Sequence, residues 1–138
     1  MTYAVSAPLQ AAVYQTLAAD VALSVLVGTN IFDAPPAGPL PATYVSLGPE
    51  TVTEAGDSTS NGAVHDFVVS VVTEVAGFQT AKEAAGAVSD ALHGATLTLS
   101  RGCVAGLWFR KAKAARQNDG VRRIDLTFRA SVEDTQPL

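Results

Sequence analysis

Few residues in this chain are suited to acid–base or nucleophilic chemistry: one cysteine, Cys103, and two histidines, His65 and His93. Cys103 lies in the apolar run GCVAGLWF, where a buried, inert thiol is expected. A lone cysteine forms no internal disulfide, and its spacing to the histidines matches no metal-ligand set. His65 and Asp66 are adjacent, and strand neighbours point to opposite faces, so they do not act as a pair. His93 follows a helical stretch and is expected to meet its last carbonyls. No nucleophile elbow, phosphate-cradling glycine loop or HExxH occurs. The acid-rich stretch from Glu50 to Asp57 lacks the alternating acids and closing Glu of a calcium loop. The sequence therefore assigns no catalytic residue, no cofactor-binding residue and no metal ligand.

The positive charge is what stands out. Of nine Lys and Arg residues, eight fall in residues 101–138, and only Lys82 lies outside. Residues 1–100 carry a net charge of −8, residues 101–138 a net of +4, and the whole chain −4. On a strand, Lys111 and Lys113 share one face, and Arg123 and Arg129 share the exposed face of the partner strand. A nucleic-acid surface would combine such charge with stacking aromatics. Trp108, Phe109 and Phe128 instead fall where core packing would use them, and the acidic total disfavours a phosphate binder. A protein-contact surface is the favoured reading, against a simply solvated face and a nucleic-acid face. Its candidate residues are Glu54, Asp57, Arg110, Lys111, Lys113, Arg116, Arg122, Arg123 and Arg129. Asymmetric charge of this kind suits complementary faces on copies of one chain.

These residues need a scaffold, and the pattern predicts one. Ser6 before Pro8 reads as a helix start with a hydroxyl cap. Leu9, Val13 and Leu17 then recur along one stripe. Asp20 reads as a second cap, opening a short segment that ends at Gly28. Ile31-Phe32 precedes a loop whose Pro35, Pro36, Pro39 and Pro41 forbid helix and ladder alike. TYVSLG is a short strand, followed by a long polar loop over residues 50–62. VHDFVVSVVTEV, apolar on both sides, is a central strand. Ala81, Ala85, Val88 and Leu92 mark the next helix, and ATLTLS the third strand. Two long strands then join around Asp119-Gly120, a hairpin turn signal. In the last strand Ile124, Leu126, Phe128, Ala130 and Val132 point inward. Arg123, Asp125, Thr127, Arg129 and Ser131 point outward.

The order is α-β-β-α-β-β-β: an α+β domain with a mixed, mostly antiparallel sheet and two helices on one face. Its 138 residues suit a single domain spanning 1–138. No signal peptide and no uninterrupted apolar run of ~18 residues is seen, so synthesis in the cytosol and no membrane partner are expected.

The chain resembles the tail-terminator, or tail-completion, proteins of long-tailed phages and phage-like gene transfer agents. The resemblance runs from about Leu9 to Val132. Its pieces are LQAAVYQTLAADVALSVLVG leading into IFDAPP, the strand YVSLG, the stretch NGAVHDFVVSVVTEVAG, the helix AKEAAGAVSDALHG and the ending DGVRRIDLTFRASVE. It implies a non-enzymatic virion protein in the neck region of the tail, assembled in the bacterial cytoplasm. Such proteins form a ring of six copies that caps the tail tube, halts its growth and meets a head-side connector. DNA passes through the central hole only as cargo. A neighbouring neck or minor tail protein, and a small-molecule-binding α+β domain, are the alternatives.

Overall fold

The computed structural model describes residues 3–56, 61–117 and 119–134. Helix α1, Ser6–Ala19, is followed by α2, Val21–Val27. The break is set by Asp20, whose extended backbone ends α1 while its carboxylate accepts the Leu23 N–H at 2.9 Å, capping α2. The two axes bend by 76° there. Among the described residues, no single helix is long and apolar enough to cross a membrane. Strand β1, Ile31–Phe32, leads through the proline loop to β2, Thr43–Glu54, and β3, Gly62–Thr73. Helix α3, Gln79–Leu92, precedes the closing hairpin of β4, Cys103–Arg116, and β5, Arg122–Glu133.

The five strands form one sheet in the order β1-β2-β3-β5-β4. Only the β1–β2 pairing is parallel, and it covers just Val45 and Ser46. The remaining pairs are antiparallel, and β2–β3 and β4–β5 are joined by short connections. β3 occupies the middle, as its two apolar sides predict. Gly120, with φ of 84°, supplies the left-handed residue of the β4–β5 turn, in which the Gln117 N–H donates to the Val121 carbonyl at 2.7 Å.

The core lies between the helices and the inward side of the sheet. Leu9, Val13 and Leu17 of α1, Leu23 of α2, and Ala81, Ala85, Val88 and Leu92 of α3 all join it. They meet Val69 and Val71 of β3 and the inward row Ile124, Leu126, Phe128, Ala130 and Val132 of β5. The alanine stripe of α3 lets that helix approach the sheet closely. Phe128 is fully buried, stacked on Phe67 at 5.7 Å and edge-on to Phe109 at 5.9 Å. Burial of that one ring contributes about 2–3 kcal/mol.

Several expectations are corrected. Among the described residues there are three helices, because the Asp20 cap makes α2 a helix in its own right. ATLTLS forms no ladder. Its Leu97 is buried and Leu99 half-buried, so these leucines cover the core from irregular backbone. β2 runs through residues 50–54, so the expected loop over 50–62 is a narrower connection beyond a longer strand. The Ser6 hydroxyl caps nothing: α1 starts without a side-chain cap, and Ser6 bonds Glu50. Cys103 is exposed, because it opens the edge strand instead of facing the core. Trp108 and Phe109 are 44% and 37% exposed. Trp108 lies over Gly106, where any Cβ would run into its ring. His93 leaves the helix carbonyls and accepts the Phe109 N–H on Nδ1 at 3.0 Å, tying the end of α3 to β4.

Candidate interaction surface

The helices cover one side of the sheet, and the other side carries a row of charged side chains. In β3 that side holds Asp66, Val68 and Ser70, and in β5 Arg123, Asp125, Thr127 and Arg129. Cross-strand register sets Asp66 beside Arg129 and Ser70 beside Asp125. Arg129 grips Asp66 with two donors at 2.8 and 3.1 Å. That fork holds the Asp66 carboxyl below its usual range, against the opposing effect of burial, and the field of Arg110 adds to it. The same pairing pushes the Arg129 guanidinium up. Arg123 donates to Asp125 at 2.8 Å and to the Ser70 hydroxyl at 3.1 Å, and Ser70 donates to Asp125 at 2.6 Å. Arg122 turns the other way, with its guanidinium 5.7 Å from the Phe78 ring centre and Lys82 5.9 Å from it.

Three of the seven candidate cations are thus engaged within the chain. The other four, Arg110, Lys111, Lys113 and Arg116, are exposed along β4, the outer strand of the sheet. Lys111 and Lys113 share the open face, as their spacing predicts. Arg116, beyond the register shift at Phe109/Lys111, falls on the helix side, beside Arg122. Arg110 and Lys111 line a groove of about 460 Å³ together with Thr51, Asp66, Thr127 and Arg129. Of the candidate acids, Glu54 is exposed at the end of β2, and Asp57 lies outside the described residues. Among the described residues, Glu54 and Arg116 lie at opposite ends of the sheet. Glu54 pairs with Ala63 at one end of the sheet, while Thr73 pairs with Arg122 and Arg122 with Arg116 at the other.

A second polar group was not legible in the sequence. Glu50 accepts hydrogen bonds from the hydroxyls of Tyr3 and Ser6, and His65 Nδ1 lies 3.5 Å from its other oxygen. Burial alone would raise the Glu50 carboxyl, but these donors outweigh it and hold it below its usual range. Glu50 faces the helices because a bulge between Leu47 and Glu50 shifts the strand alternation, and Gly48-Pro49 was the only signal of it. His65 is 1% exposed, and its Nε2 is buried without a partner. Hydroxyls and imidazole both point at the carboxylate, so none activates another. The cluster anchors the start of α1 to β2 and β3. Among the described residues, no group of three or more His, Cys, Asp or Glu is placed to hold a metal ion.

The outer strand β4 thus leaves four cations exposed at the edge of the sheet. A chain from a solved structure described as the virion of a native gene transfer agent particle superposes with a TM-score of 0.91 at 64% identity. The match covers 96% of this chain and 99% of that one. No curated protein sequence matches. The family description "Tail completion protein gp17" fits residues 11–133, nearly the whole length. The chain belongs to the tail completion protein gp17 family.

Proposed function

We propose that this chain is a structural tail protein that closes the tail tube, and that it does so as a ring of six copies. The ring sits on the last layer of the tube, halts further addition of tube protein and presents its other side to the head-side connector. Its central hole lets DNA pass as cargo. The observation that carries this reading is the 64% identity, across 96% of the chain, with a chain of a gene transfer agent virion. The surface supports it. A closed ring needs two different, complementary patches on each copy. Exposed cations lie along β4 at one edge of the sheet, and Glu54 is exposed at the end of β2 on the opposite side of β3 and β5. Opposite charges on the two patches would set the order of copies and oppose wrong pairings. The role involves no chemistry on a substrate.

Negative-stain images and mass photometry of the purified chain, alone and mixed with tail tubes, test this reading. Rings of six times the chain mass, seated at one end of each tube, are expected. A protein that remains monomeric at every concentration and leaves both tube ends bare would overturn it.

A further inference from the structure

The sheet has two unlike free edges. On one side lies β4, whose outer backbone has no described strand beside it. On the other side β1 covers β2 only at Val45 and Ser46, and no described strand flanks β2 beyond them. Strand directions alternate from β2 through β3 and β5 to β4. A second copy in the same orientation therefore presents its β2 antiparallel to β4 of the first.

We propose that copies of this chain join by strand addition, residues Ala112–Arg116 of β4 pairing antiparallel with residues Glu50–Glu54 of β2 on the next copy. This rests on the self-assembly reading above and names its contact.

Three observations select this pairing. Pro49 has no N–H, so pairing along β2 begins at Glu50. β4 ends at Arg116. Aligning these two ends sets Arg116 across from Glu50, Lys113 from Thr53, Ala114 from Val52 and Ala112 from Glu54. Arg116, Ala114 and Ala112 lie on the helix side of their strand, as Glu50, Val52 and Glu54 do on theirs, so the faces match. The four cations on β4 choose the partner. Two β4 edges meeting each other would set like charges opposite one another, which strand pairs resist. The β2 edge carries Glu50 and Glu54 and no cation. Glu50 has donors from Tyr3, Ser6 and His65, and a carboxylate has about four acceptor positions, so one is left for Arg116.

Cysteine cross-linking of the full chain tests the register. In a Cys103→Ser background, Val52→Cys and Ala114→Cys are made separately and together. Within one chain β2 and β4 are three strand spacings apart, about 14 Å, beyond the reach of a disulfide. Mixing the two single variants under oxidation should give a cross-linked dimer, and neither variant alone should. The double variant should give a ladder that ends at the ring's copy number. Thr53→Cys with Lys113→Cys probes the same register from the opposite face, should Val52→Cys disturb folding. Rings without either cross-link would overturn strand addition while leaving the ring intact. Cross-linking of Ala114→Cys to itself would overturn the head-to-tail order. A monomer without cross-links would remove this contact and the ring together.

Discussion

Replacing Glu50 tests how the start of α1 is held to the sheet. Its carboxylate is the shared acceptor for Tyr3, Ser6 and His65, which come from the start of α1 and from β3. Ser6 is 7% exposed and His65 1%. In Glu50→Ala both lose their partner without gaining water. A buried polar group left unpartnered costs about 1–3 kcal/mol, so the loss should be about 3 kcal/mol. For a chain of this size that corresponds to a fall in melting temperature of roughly 10 °C. Glu50→Gln keeps an acceptor oxygen and should lose less, about 1 kcal/mol. The two differ further in pH dependence. The folded carboxyl of Glu50 titrates below its unfolded value of 4.5. Its contribution is therefore complete above that value and is lost as pH falls through the folded one. The gap between wild type and Glu50→Gln should hold steady from pH 7 to about 5 and narrow below pH 4.5. Urea unfolding followed by circular dichroism at pH 7, 5 and 4 measures it. A Glu50→Ala protein within 0.5 kcal/mol of wild type (roughly the spread of surface substitutions) would refute the claim that this cluster fastens α1 to the sheet. So would a gap that widens in acid.

Other changes have equally definite outcomes. Phe128→Ala removes the fully buried ring between Phe67 and Phe109 and should cost about 3–5 kcal/mol by urea unfolding. Gly106→Ala puts a methyl where the Trp108 ring lies, so Trp108 should swing out and its fluorescence maximum shift to longer wavelength. Cys103, exposed at the start of β4, should react with a thiol reagent in the folded protein without denaturant. Arg123→Met removes the donor that bridges Asp125 and Ser70, and should weaken stability at pH 7 by no more than about 1 kcal/mol.

How far the sequence revealed this surface depends on the kind of signal. Periodicity carried the α1 stripe of Leu9, Val13 and Leu17 and the strict alternation of β5, because burial on one face imposes it directly. The Asp119-Gly120 turn was legible from local chemistry alone. ATLTLS shows the limit of alternation: its leucines reach the core without a ladder, so apolar spacing alone did not distinguish strand from irregular cover. The Ser6 cap failed because Glu50, 44 residues away, offered the hydroxyl a partner that composition does not show. Counting cations located the basic corner, but only the register of β3 against β5 showed that Arg129 and Arg123 already have carboxylates nearby. The exposed row on β4 is what remains once those pairs are made.

The role proposed for this protein is to end the growth of a tail tube. Adding the purified chain to polymerising tube protein and measuring tube lengths by electron microscopy tests that most directly. Elongation should stop in proportion to the amount added, with each arrested tube bearing a ring at one end. Tubes that lengthen at an unchanged rate, with the added chain staying in solution, would contradict it.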